Sequence, residues 1–335
     1  MSDAKTDPLL SVRDLVVEFP TRRGVLRALD RVSFDIMPGE VLGMVGESGA
    51  GKSITGASII GLIEPPGRIA SGEIRLKGER IDNLKPDAMR RVRGRRIGMV
   101  FQDPLTSLNP LYTVAQQLIE TIRTHIDVSE SEARKRAVAL LDRVGIPAAA
   151  RRIDDYPHHF SGGMRQRVVI ALALCAEPEL VIADEPTTAL DVSVQSQIIE
   201  VLKDICAERG AAVMLITHDM GVIAETADRV AVLYAGRMAE VGPVRKVITE
   251  AMHPYTAGLM GSIPTLTQET DRLVQIPGTM PRLHAIPQGC AFNPRCDKVF
   301  AACREIRPDL IDQGDGREVA CLLYDPARTG ETQNV

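Results

Sequence analysis

The sequence predicts an α/β fold built on a mostly parallel sheet, and three observations predict it. An apolar run, Val41 to Val45, feeds directly into Gly46-Glu47-Ser48-Gly49-Ala50-Gly51-Lys52-Ser53, a G-x-x-x-x-G-K-[ST] loop of the kind that cradles phosphates between a strand and a helix. A second apolar run, Leu180 to Ala183, ends in two adjacent acids, Asp184 and Glu185. From Leu180 to Val241 strand-like and helical patterns alternate, as parallel strands joined by helical crossovers require.

The N-terminal part, to about residue 45, reads as β-rich, with Leu15-Val16-Val17-Glu18-Phe19 as its first strand. In the loop that follows, glycines supply positive φ and close approach, so that backbone N–H groups can point inward at phosphate. Ile54 to Ile63 lacks proline and carries apolar residues at helical spacing. The loop therefore opens a helix, whose N-terminus adds about half a positive charge. In such a loop Lys52 reaches the β- and γ-phosphates, and the Ser53 hydroxyl faces Mg²⁺.

Ile97 to Phe101 reads as a short strand that delivers Gln102 to a proline-broken turn, Asp103 to Pro110. A polar side chain hinged at a strand end can touch a metal ion and a water in one state and withdraw in another. Helical patterning runs from Thr113 to Gly145, with Ser129-Glu130-Ser131-Glu132 as an N-capping arrangement for a long amphipathic helix. Ser161-Gly162-Gly163-Met164 then opens a further helix, and its N-terminus is a second anion seat. Adjacent carboxylates at the end of a buried strand are costly unless a cation or substrate meets them. Asp184 thus suits Mg²⁺ through its water shell, and Glu185 suits the polarisation of an attacking water. His218 follows the strand Ala211 to Ile216.

Taken in order, the phosphate loop, Gln102, Ser161 to Met164, Asp184-Glu185, Thr188-Ala189-Leu190-Asp191 and His218 resemble the ATP-binding cassette (ABC) ATPases over roughly residues 11 to 250. The resemblance implies a P-loop NTPase (RecA-like) core with an N-terminal antiparallel β subdomain, a helical subdomain inserted at about 103–178, and a loop-rich C-terminal extension. It places the ATPase domain at 1–262 and the extension at 263–335. It also implies that Ser161, Gly162 and Gly163 cap the γ-phosphate on a second subunit's loop, that Asp191 and His218 belong to the nucleotide site, and that Phe19 stacks on adenine. Where the family's signature ends in Gln this chain has Met164, as in the peptide-importer branch. The implied activity is ATP hydrolysis driving import of peptides or related small solutes.

Composition agrees with that reading. A net charge of −4 argues against nucleic acid as a partner, and the run Arg90 to Arg96 reads as a solvated helix face. No stretch approaches 18 apolar residues in a row, and Met1 to Pro8 is polar and charged rather than a secretion signal. The resemblance therefore implies a peripheral subunit on the cytoplasmic face of a bacterial membrane. Its partners are two permease subunits, a second identical or homologous ATPase and, indirectly, an external solute-binding protein. A ribosome- or DNA-acting cassette protein would carry two cassettes or a coiled-coil insertion, an exporter would carry fused membrane spans, and a P-loop kinase would lack the Ser161 signature. A nucleotide-dependent regulator is the remaining rival.

Near His253-Pro254 the composition shifts towards proline and glycine, and Cys290, Cys296, Cys303 and Cys321 follow at intervals of x₅, x₆ and x₁₇. Cys175 and Cys206 lie in apolar helical patterns and read as buried free thiols. The four later cysteines sit in a proline-rich segment that buries little and needs a staple. Disulfides do not suit a chain that uses cytosolic ATP. A [4Fe–4S] cluster, a Cys₄ zinc site and unliganded thiols all stay open, although structural zinc favours closer cysteine pairs. The segment around Gln288-Gly289-Cys290-Ala291-Phe292-Asn293-Pro294-Arg295-Cys296 resembles the tail of oligopeptide and dipeptide importer ATPases, some of which bind such a cluster.

Overall fold

The structure, a computed structural model, describes residues 7–22, 24–187, 192–261 and 276–328. The strands, in chain order, are β1 (Leu10–Thr21), β2 (Gly24–Ile36), β3 (Val41–Val45), β4 (Arg68–Leu76), β5 (Glu79–Arg80), β6 (Ile97–Val100), β7 (Leu180–Asp184), β8 (Ala212–Ile216), β9 (Arg229–Tyr234), β10 (Arg237–Pro243), β11 (Ile311–Gly314) and β12 (Arg317–Val319). The helices are α1 (Lys52–Ile59), α2 (Pro86–Val92), α3 (Pro104–Ser107), α4 (Val114–His125), α5 (Glu130–Arg143), α6 (Ala149–Arg152), α7 (Gly162–Leu174), α8 (Val192–Arg209), α9 (Met220–Thr226), α10 (Val244–Thr249) and α11 (Pro254–Gly261). They group into two compact units interleaved along the chain. One draws on Met1–Leu9, Ile36–Val41 and Asn83–Ile216, the other on Leu10–Asp35, Leu42–Asp82 and Thr217–Val335.

In the first unit β6, β7 and β8 run parallel, with Val100 beside Ala183 and Asp184 beside Ile216. Every residue of β7 and β8 is buried, as strands covered on both faces demand, and this is why their sequences are unbroken apolar runs. The helices α4, α5 and α7 pack against one another. α4 buries Val114, Ala115, Leu118 and Ile122, one stripe at helical spacing. Its start is a capping box, in which the Thr113 hydroxyl accepts from the Gln116 N–H and the Gln116 side chain accepts from the Thr113 N–H. The expected cap of α5 is present, with the Ser129 hydroxyl accepting from the Glu132 N–H.

In the second unit an antiparallel sheet is ordered β2-β1-β4-β5. The first strand starts earlier than the run at Leu15 predicts. Asp14 adopts φ 45 and the register against β4 shifts between Arg13 and Val16, so a bulge breaks the alternation that marks a continuous strand. β3 pairs in parallel with β9, Val45 lying beside Val232. α1 stops at Ile59 rather than Ile63, because Gly61 at φ 64 turns the chain out of the helix.

The parallel alternation expected as far as Val241 ends at β9. Ala235 and Gly236, at φ 47 and 78, make a two-residue turn that returns the chain as the antiparallel strand β10. The C-terminal segment is less loop-like than expected, since β12 pairs with β10, Glu240 lying beside Val319, and β11 pairs with β12. Glu240 is fully buried but satisfied, accepting from the N–H groups of Met252 and His253.

Candidate nucleotide site

The phosphate loop is built by β3, whose five residues are all buried, and by α1, whose N-cap is Gly51 with φ 110. The glycines are sterically required at two points. A Cβ on Gly46, at φ 152, would meet the Leu233 carbonyl oxygen at 2.3 Å, and one on Gly51 would meet Leu29 Cδ2 at 2.7 Å. No side chain caps the start of α1, which leaves that role to the loop itself. Lys52 is buried, and its ammonium donates to the carbonyls of Gly46 (2.8 Å) and Glu47 (3.1 Å). Ser48, Gly49 and Ser53 are exposed, while Ala50 is buried. The turn between β9 and β10 supports the loop from behind, the Gly236 N–H donating to the Ala50 carbonyl at 2.9 Å.

Two residues that the sequence reading missed hold this loop. The Glu47 N–H donates to the Tyr255 hydroxyl at 2.8 Å. Arg295 donates to both oxygens of the Glu47 carboxylate, at 2.9 and 3.2 Å. The signal available in the sequence was a basic residue next to Cys296, which nothing local ties to a loop some 250 positions earlier. In the same unit Phe19 is half-buried, with its ring edge against Gly67. His218 is exposed just ahead of Asp219, whose carboxylate caps α9 by accepting from the N–H groups of Gly221 and Val222.

The first unit assembles the acids. Asp184 ends β7 and is buried. Glu185 follows at φ 45 with its N–H donating to the Ile216 carbonyl, a conformation uncommon for a non-glycine residue and concentrated at functional sites. Its carboxylate accepts from Gln102 Nε2 at 2.9 Å. Gln102 leaves β6, next to β7 in register, and Asp103 behind it caps α3 by accepting from the Leu105 N–H. Parallel pairing thus brings together two residues that the sequence singled out separately. Ser161 caps α7, its hydroxyl accepting from the Met164 N–H at 3.4 Å. Ser161 and Gly162 are exposed, Gly163 is half-buried, and Met164 Sδ lies 3.4 Å from Arg152 Nη1. Asp191, with Thr188 to Leu190, lies outside the described residues.

The family described as ABC transporter matches residues 29–188, and that described as oligopeptide/dipeptide transporter, C-terminal region, matches residues 239–303. The dipeptide transport ATP-binding protein DppD of Bacillus subtilis (strain 168) is 47% identical over 95% of this chain and 96% of its own length. This chain belongs to the ATP-binding subunits of ABC transporters. The DppD protein of Escherichia coli (strain K12) is 44% identical over 93% of the chain and 96% of its own length. Among solved structures, the dimeric ATP-binding cassette MJ0796, in a post-hydrolysis state bound to ADP and Pi, matches with a TM-score of 0.64. It is 29% identical over 70% of this chain and 99% of that one. This ABC subunit has, among its described residues, no helix long and apolar enough to cross a membrane.

The four C-terminal cysteines come together. The Cys290 N–H donates to the Cys303 carbonyl at 2.8 Å. Burial, with smaller contributions from the other three cysteines, pushes the Cys321 thiol up to about 12. Burial likewise raises Cys290 to about 11, with contributions from Cys303 and Cys296, and raises Cys296. Among the described residues no group of three or more His, Cys, Asp or Glu is placed to hold a metal ion. The metal centre expected there is therefore not supported by the arrangement of the side chains. Cys175 and Cys206 are buried free thiols as expected, both raised by burial to about 12.

Proposed function

We propose that this chain is the ATPase subunit that energises import of peptides, or of closely related small solutes, through a membrane permease. The observation that carries the reading is Glu185, held at positive φ behind a buried strand and hydrogen-bonded to Gln102, in a chain related along nearly its whole length to dipeptide transport ATP-binding proteins. On this reading Gly46 to Ser53 seats the phosphates, Lys52 neutralises the β- and γ-phosphates, and Phe19 stacks on adenine. Mg²⁺, when bound, would supply positive charge against the charge developing on the phosphates. Ser53, Gln102 and Asp184 are the residues that would hold it. Glu185 takes a proton from the attacking water as general base, and His218 donates to the γ-phosphate.

Ser161, Gly162, Gly163 and Met164 of one copy then close over the γ-phosphate on the loop of another, with Asp191 beside it. The ATPase domain spans 1–262, with the helical subdomain at about 103–178 and the extension at 263–335. Two permease subunits, a second ATPase and the cytoplasmic membrane face complete the assembly. Glu185→Gln tests the chemistry. It should bind ATP but turn over about 10²- to 10⁴-fold more slowly, and wild-type turnover in a steady-state phosphate-release assay would remove Glu185 from its role.

The same reading assigns Cys290, Cys296, Cys303 and Cys321 to an iron–sulfur cluster, held by four thiolates and supplying structural linkage to a segment with few apolar anchors. The donor set fits. Neighbouring cysteines add to the rise that burial gives Cys290 and Cys321, and a multivalent cationic centre would relieve that cost as it displaced their protons. A cluster also spreads its ligands farther apart than a single ion does. Protein purified anaerobically should be brown, absorb near 400 nm and contain about four irons. Colourless protein with stoichiometric zinc, or with no metal, would reject the cluster.

A further inference from the structure

Glu47 lies inside the phosphate loop, between Gly46 and Ser48. A carboxylate there stands among groups that must receive a polyphosphate, and like charges at close range oppose binding. The described part of the C-terminal segment answers that charge. Arg295 reaches Glu47 with one guanidinium nitrogen bonded to both carboxylate oxygens. The Arg295 side chain is only 6% exposed. It is fixed from three other directions: Nε donates to the Pro277 carbonyl at 2.8 Å, Nη1 donates to the Tyr234 hydroxyl at 3.3 Å, and the guanidinium lies 5.8 Å from the ring centres of both Tyr234 and Phe292.

An arginine guanidinium is charged throughout the working pH range, and that of Arg295 bonds to both Glu47 and Tyr234. Its backbone is held as firmly. Arg295 N–H donates to the Phe292 carbonyl, and the Asn293 side chain donates to the carbonyls of Gln288 and Cys290. Phe292 in turn packs on Tyr234 and Tyr255, at ring separations of 5.3 and 5.5 Å. Tyr255 is the residue whose hydroxyl receives the Glu47 N–H. Both the backbone and the side chain of Glu47 are thus held by one cluster of Tyr255, Tyr234, Phe292 and Arg295.

We propose that Arg295 is a positioning residue for ATP binding: it neutralises Glu47 and draws its carboxylate back, so that the loop presents donors rather than a negative charge to the phosphates. The inference rests on the reading of Gly46 to Ser53 as the phosphate seat. It assigns the cysteine-bearing segment a part in nucleotide affinity, through the residue that precedes Cys296.

The test is equilibrium binding of MgATP to the full-length chain and its variants, with Lys52→Ala as a control. Arg295→Gln keeps a donor near the position of Nε for Pro277 but loses the charge and the reach to Glu47. It should weaken MgATP by about tenfold or more, from an uncompensated charge near the phosphates, and the loss should shrink as salt is raised. Glu47→Gln added to Arg295→Gln should recover most of the affinity, because the charge to be neutralised is gone. A merely structural arginine gives the opposite pattern, a double variant as weak as Arg295→Gln or weaker. That result, or wild-type affinity in Arg295→Gln, overturns the proposal. If Arg295→Gln does not fold, the same comparison is made with Arg295→Lys, whose charge should retain affinity near wild type; a tenfold loss there also counts against the proposal. Should wild type and Lys52→Ala bind MgATP equally, the failure belongs to the phosphate-seat reading.

Discussion

His253 shows how single residues in this chain carry stability that depends on solution conditions. It is buried, its Nδ1 accepts from the Tyr255 N–H at 3.0 Å, and burial holds its pKa down at about 4. In the unfolded chain the imidazole titrates near the ordinary value of about 6.5, so the unfolded state takes up a proton first as pH falls. The stability associated with the neutral ring is complete above that value and is lost progressively as the pH descends towards the folded one. Between pH 8 and pH 5 the loss from this group should be about 2 kcal/mol. Urea unfolding at both pH values checks it, with His253→Asn expected to flatten that part of the dependence. An equal slope in the variant would mean that other groups carry it. Sequence reading could not have found this residue's role, because His253-Pro254 marks only a change of composition. The acceptor at Nδ1 and the Glu240 carboxylate that receives the His253 N–H are made by folding. The acids and the lysine were a different matter. Asp184 and Glu185 were legible because a charged residue at the end of a buried apolar run has few non-functional reasons to be there, and Lys52 because of the glycine pattern that precedes it.

Among the elements, the strands that were easy to read are those buried on both faces. β3, β8 and the first four residues of β7 are apolar throughout, and each strand ends at, or within two residues of, a residue proposed for the nucleotide site. Harder were elements defined by backbone conformation. The return of β10 depends on Ala235 taking positive φ in a turn where Asn or Asp is the usual sign, so the sequence suggested continued alternation. The short strands β11 and β12 owe their place to pairing with β10, an interaction between segments distant in sequence. Gly236 shows the consequence for function. A Cβ there would meet the Ala28 carbonyl oxygen at 2.4 Å, and its N–H is the donor that steadies Ala50. The geometry of the phosphate loop thus depends on a turn that no motif records. Gln102 and Glu185 illustrate the converse. Each was visible alone, but their hydrogen bond follows from the parallel register of β6 and β7.

For the whole molecule the decisive question is whether one chain contains a complete site. On the proposed reading the phosphate loop and the helix opened by Ser161 are each an N-terminal anion seat, while the nucleotide has one γ-phosphate. The signature loop exposes Ser161 and Gly162, as a surface destined for a second copy or a homologue would. The related cassette MJ0796 was solved as a dimer. If two chains share each ATP, closed dimers are favoured only by the preference of the γ-phosphate for the closed arrangement, since a ligand shifts an equilibrium by its differential affinity and no more. ATP should therefore promote association where ADP does not. Glu185→Gln, which retains the γ-phosphate, should accumulate the dimer in sedimentation or size-exclusion measurements. Replacing Ser161 and Gly163 in that background should abolish ATP-induced association while leaving MgATP bound at the phosphate loop of the single chain. Full turnover by a strictly monomeric protein carrying those replacements would show that one chain closes its own site, and the alternation between closed and open dimers would no longer be available to drive transport.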